Sequence, residues 1–131
     1  MKVKAFLEKG GSKSFACRLD DVVADRLAIG YGSTAEEAMQ DLNAAMAEFD
    51  EMDGRHDFAD IELEYCFDVG SLFDYYDFIK IEGIAKLTGI SASVLRQYAS
   101  GVRTPRAERL EQIRLGLLEA AGQLNSVVLS A

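Results

Sequence analysis

Ile84-Ala85-Lys86-Leu87-Thr88-Gly89-Ile90-Ser91-Ala92-Ser93-Val94-Leu95-Arg96-Gln97-Tyr98 has the residue types of two helices meeting at a sharp turn. Ala85 is small where crossing helices approach closely. Gly89 takes the positive φ that lets the chain leave the first helix, and Ile90 plugs the angle between the two. The Ser91 hydroxyl can cap the second helix, whose Val94, Leu95 and Tyr98 then face inward. The motif predicted here runs from about Ile81 to Gly101. Beyond it, Pro105 marks the approach to a last helix with an apolar stripe of Leu110, Ile113, Leu117, Ala121 and Leu124.

The second helix leaves Ala92, Ser93, Arg96, Gln97 and Ser100 outward, a polar surface with no acid in it. A helix fits the DNA major groove, where Arg donates twice to guanine, Gln pairs with adenine, and Ser reaches bases or phosphates. Between Ile90 and Leu115, five arginines (Arg96, Arg103, Arg106, Arg109, Arg114) face two glutamates (Glu108, Glu111), a local charge of +3. The expected DNA-binding set is therefore Ser91, Ala92, Ser93, Arg96, Gln97 and Ser100, with Arg103 and Arg106 on the phosphate backbone. The plainer alternative is a helical hairpin whose arginines are a solvated face.

Upstream the period changes. Val3, Ala5 and Leu7 alternate with lysines, Phe15, Cys17 and Leu19 repeat the alternation, and Leu27, Ile29 and Tyr31 continue it. Three successive strands predict a meander. Thr34-Ala35-Glu36-Glu37 then has the spacing of a capping box, in which Thr34 and Glu37 each satisfy the other's amide. Its helix carries Ala38, Met39, Leu42, Ala45, Met46 and Phe49 on one face and ends at Asp53-Gly54. A fourth strand alternates Ile61, Leu63, Tyr65 and Phe67 with Glu62, Glu64, Cys66 and Asp68. The predicted class is α+β, a βββαβ domain over residues 1–70 followed by an all-α helix-turn-helix domain over 71–131.

Charge divides at the same place. Met1 to Gly70 holds 7 basic and 16 acidic residues, a net −9, and Ser71 to Ala131 holds 7 basic and 6 acidic, a net +1. Two differently charged halves predict two jobs. With 131 residues, each half is near the lower size at which a core holds itself together. No apolar run approaches the ~20 residues of a membrane span, and the start turns polar before a signal-peptide core forms, so a cytoplasmic protein without membrane contact is expected. Cys17 and Cys66 form no CxxC pair and are expected as buried free thiols.

No catalytic, metal or cofactor site is expected. Asp20, Asp21, Asp25, Glu36, Glu37, Asp60 and Glu62 are metal-ligand types, but they fall at element ends or on a solvent face rather than at strand centres around one cleft. His56 lies in a polar loop, and Gly30-Tyr31-Gly32 lacks the third glycine of a dinucleotide loop.

From Ile84 to Leu124 the chain resembles the phage-repressor (XRE) type of helix-turn-helix, with Gly101 after the second helix and Pro105 before the next. Gly32-Ser33-Thr34-Ala35-Glu36-Glu37-Ala38, after a meander and before a helix and a last strand, resembles the HicB antitoxin domain, matching G-x-T-x-E-E-A. That resemblance implies a partial RNase H-like fold. It also implies the antitoxin of a type II toxin-antitoxin pair, neutralising a small basic RNA-cleaving HicA-like toxin and repressing its own operon by binding double-stranded operator DNA. A homodimer or dimer of dimers is expected, because one short recognition helix covers little DNA. Two other readings stand beside it: a regulator without a toxin, its first domain binding a ligand or dimerising, and a nuclease of the RNase H type. Whether Val127, Val128 and Leu129 pack back or meet a second subunit is open.

Overall fold

The computed structural model describes all residues, Met1–Ala131. It is mixed α+β, with a four-stranded sheet and five helices, and divides into two units, Met1–Tyr76 and Asp77–Ala131. No helix is long and apolar enough to cross a membrane.

The first unit runs β1 (Lys2–Lys9), β2 (Phe15–Leu19), β3 (Ile29–Gly32), α1 (Ala35–Asp53), β4 (Glu62–Phe67) and α2 (Val69–Tyr75). The sheet order is β3-β2-β1-β4: two antiparallel hairpin pairings, then β4 parallel to β1 after the α1 crossover. Val3, Ala5 and Leu7 of β1 and Phe15, Cys17 and Leu19 of β2 are buried against Ala38, Leu42 and Met46 of α1, the outcome of period-2 and period-3.6 patterns meeting on one face.

The third strand departs from its expected phase. Tyr31 is 63% exposed and Leu27 lies outside the strand, also exposed, whereas Ala28 and Gly30 face the core. Helix α1 lies directly on this strand: a Cβ at Gly30 would sit 2.1 Å from the Leu42 backbone nitrogen. No side chain fits on the inner face there, so the apolar residues turn outward.

The capping box also differs in one arm. The Thr34 hydroxyl accepts from the Glu37 amide at 3.1 Å, but the Glu37 carboxylate reaches the Ser33 amide (3.2 Å) and hydroxyl (2.8 Å) rather than Thr34. Gly54 closes α1 at φ 62°.

The unit extends past the expected boundary at residue 70. Asp74 of α2 accepts a 2.8 Å hydrogen bond from the amide of Ala35 at the start of α1, and Phe67 packs on Tyr75 and Tyr76 with ring centroids 5.5 and 5.6 Å apart. Val69, Gly70 and Ser71 are buried. With α2 included, the first unit has 7 basic and 17 acidic residues, a net −10, and the second 7 and 5, a net +2.

The second unit contains α3 (Ile81–Thr88), α4 (Ala92–Ser100) and α5 (Ala107–Asn125) around buried Ile84, Ile90, Leu95, Tyr98 and Ile113. The expected stripe on α5 is buried only in part. Ile113 is buried and Leu117 half-buried, while Leu110, Ala121 and Leu124 are exposed, because the two short helices cover only part of the 19-residue α5.

Candidate nucleic-acid interface

Local chemistry builds the turn between α3 and α4. Gly89 adopts φ 77°, a conformation that strains any residue with a Cβ, and its amide bonds the Ala85 carbonyl. Ile90 is 2% exposed and fills the corner between the helices. The Ser91 hydroxyl accepts from the Val94 amide at 3.2 Å, so an orphan donor of the α4 N-terminus is satisfied. Leu95 and Tyr98 are buried and Val94 half-buried, so α4 is rolled with one face inward. Gly101 at φ 82° ends it.

This roll places Ser91, Ser93, Arg96, Gln97 and Ser100 on the exposed side, with Ala92 half-buried beside them. Arg103 and Arg106 follow in the exposed segment between α4 and α5. The Arg103 amide bonds the Gln97 carbonyl at 3.2 Å, tying that segment to the end of α4, and Arg106 is the N-cap residue of α5. The Ser100 hydroxyl also donates back to the Gln97 carbonyl at 3.2 Å.

The arginines fall into two groups. Arg114 is held by Glu111 through two hydrogen bonds of 2.9 and 2.6 Å, and Arg96 is ion-paired to Glu82 of α3. Arg103, Arg106 and Arg109 have no ion pair, so the unpaired arginines lie between the end of α4 and the first turn of α5; Lys80 and Lys86, at the start and in the last turn of α3, have no ion pair either. The Glu82 carboxyl is held below the usual carboxylate range, first by a backbone hydrogen bond, which outweighs the opposing effect of burial, and then by the charge and hydrogen bond of Arg96 and the Lys80 charge. Sequence reasoning missed Glu82. Its partner is fourteen positions away on another helix, and only the crossing of α3 and α4 brings them together.

Elsewhere, Asp20, Asp21, Asp25, Glu36, Glu37, Asp60, Glu62 and His56 are all exposed, and no three His, Cys, Asp or Glu side chains gather as a metal-binding group. Other acids of the first unit hold backbone amides. Asp41 accepts from Tyr31 at 2.8 Å, Asp50 from Phe58 and Ala59 at 3.0 and 2.9 Å, and Asp68 from Ser71 and Lys9, both at 2.8 Å. These carboxylates belong to the fold rather than to a freely solvated surface. Comparison with models of protein families, with curated proteins and with solved structures finds no match to this chain.

Proposed function

We propose that this chain is a regulator that reads double-stranded DNA through α4, with α3, α4 and the turn at Gly89 acting as a helix-turn-helix. The observation that carries the reading is the exposed face of α4: Ser93, Arg96, Gln97 and Ser100, with no acid on α4 itself and only Glu82 of α3 against it, flanked by the unpaired Arg103 and Arg106. Arg and Gln side chains have the donors and acceptors to distinguish base edges, and unpaired arginines beside them supply the counterion-releasing contacts that dominate affinity.

The acidic first unit, net −10, is proposed as the antitoxin part, a surface complementary to a small basic RNA-cleaving protein. The proposed working form is a dimer through the second half of α5. Leu115, Leu118 and Leu124 are exposed there, Val127, Val128 and Leu129 are exposed in the segment after it, and Glu119 is the one charged side chain from Leu115 onward. An apolar, nearly uncharged stretch of this kind favours self-association over a charged partner.

Selection of duplexes from a random-sequence library by the full-length protein, followed by isotherms on the enriched and scrambled duplexes across a salt series, tests the DNA reading. Enrichment of a two-fold repeat with half-sites one helical turn apart is expected. Failure to enrich any sequence overturns it. Co-purification with the product of an adjacent small basic reading frame tests the antitoxin part, and its failure alongside successful enrichment leaves a regulator without a toxin.

A further inference from the structure

We infer that Glu82 is a positioning residue for DNA recognition: it holds the Arg96 guanidinium in one orientation on α4 and exchanges general affinity for discrimination between sequences. The inference rests on the DNA-binding reading of α4.

Glu82 Oε1 accepts from Arg96 Nη2. The guanidinium has five N–H donors in a rigid fork, and Glu82 takes one of the two on Nη2, so the other Nη2 hydrogen with its neighbour on Nε or Nη1 stays available for the bidentate pair that a guanine edge offers. An unrestrained arginine on a helix surface samples many rotamers and reaches bases and phosphates alike. One anchored by a carboxylate has lost that freedom before DNA arrives, which favours the duplex whose acceptors fit the anchored geometry.

The anchor itself is well placed to remain charged. Glu82 lies in the first turn of α3, where the helix dipole favours an anion, and its carboxyl is held below the usual range. The pair adds little to folding, since both side chains are more than half exposed, 54% and 60%. A carboxylate on the docking side also repels every phosphate equally, and that repulsion falls on all sequences.

Full-length wild type, Glu82→Gln, Glu82→Ala, Arg96→Ala and the double variant Glu82→Ala/Arg96→Ala are titrated on the duplex enriched by the wild type and on a scrambled duplex, with melting recorded for each. Loss of Glu82 is expected to tighten binding to the scrambled duplex about 2- to 5-fold and steepen the salt slope by about one per half-site, as an arginine is freed for phosphate. The preferred-to-scrambled ratio should fall about tenfold, with melting unchanged. The double variant should discriminate no worse than Arg96→Ala alone, because Glu82 acts through that side chain. Equal loss on both duplexes assigns Glu82 a merely structural role, and an unchanged ratio makes the ion pair incidental; either overturns the inference. Should wild type enrich no sequence, the DNA reading falls first and the inference with it.

Discussion

The side chain of Gln112 in α5 donates a 2.7 Å hydrogen bond to the carbonyl of Thr88, the last residue of α3. Helix ends leave carbonyls without partners, and here one is satisfied by a helix twenty-four positions away. The same residue is clamped locally: the Thr88 hydroxyl donates to the Ile84 carbonyl at 2.7 Å and accepts from the Ile90 amide at 3.2 Å. Thr88 thus fixes both the exit from α3 and the seat of α5.

Gly116 is the complement to that seat. A Cβ there would come within 2.4 Å of the Thr88 γ-methyl, which cannot swing aside without breaking both hydroxyl hydrogen bonds. Gly116→Ala should therefore destabilise the protein by about 1–3 kcal/mol through overpacking, outweighing the better helix propensity of Ala. Thr88→Ser deletes the methyl and keeps the hydroxyl, so the double variant should recover most of the loss. Thermal melts of the two singles and the double check this, and additive losses would refute it.

Arg96 and the two following arginines should fail differently. Arg96→Ala should cost about 1–3 kcal/mol on the preferred duplex and relax discrimination at one base pair per half-site. Arg103→Ala and Arg106→Ala should weaken all sequences alike and lower the salt slope by about one each per half-site, because neither is spent in an ion pair. Isotherms across salt distinguish the two patterns. Full retention of affinity and discrimination in Arg96→Ala would return α3 and α4 to a plain hairpin.

The loop from β2 to β3 contains a two-residue turn, Val23 bonded to Arg26 in both directions at 3.0 and 2.9 Å, with Ala24 at φ 51° and Asp25 at φ 62°. Both central residues occupy the left-handed region, which costs an L-alanine about 1 kcal/mol. Ala24→Gly should therefore raise stability by up to about 1 kcal/mol, the relief being partly offset by a more flexible unfolded chain. A lower melting temperature for this variant would contradict it.

Burial pushes the Cys17 thiol up to about 11, from an ordinary value of 9.0. The folded state therefore holds the proton more tightly than the unfolded chain. The resulting stability is complete below pH 9 and is lost as pH rises from about 9 to about 11. Cys17→Ala should flatten that part of the stability profile relative to wild type. At neutral pH a thiol reagent should modify half-buried Cys66 readily and Cys17 only on unfolding. Equal labelling rates in the native protein would count against this.

What the sequence determined by itself is local. Thr34, Ser91, Gly54 and Gly89 act on partners three or four positions away, so the starts of α1 and α4 and the ends of α1 and α3 were legible from residue type and spacing alone. So were the inward faces of β1, β2 and α4, where an apolar period meets an opposing surface. Tertiary structure decided the rest. Ile29 and Tyr31 alternate like core residues, but α1 lies too close to Gly30 for their side of the strand to face inward. Leu124 continues a helical stripe that its own unit leaves mostly exposed. Cys66, expected buried, is half-buried on the opposite side of β4 from the core positions. Asp74 brings α2 into the first unit, and Glu82 takes hold of Arg96, through hydrogen bonds spanning 39 and 14 positions. A sequence pattern carries the period of a side chain along its own element. Which surface arrives opposite it, and how closely, is set by packing between elements, and that is where the donor and the acceptor of each such pair first meet.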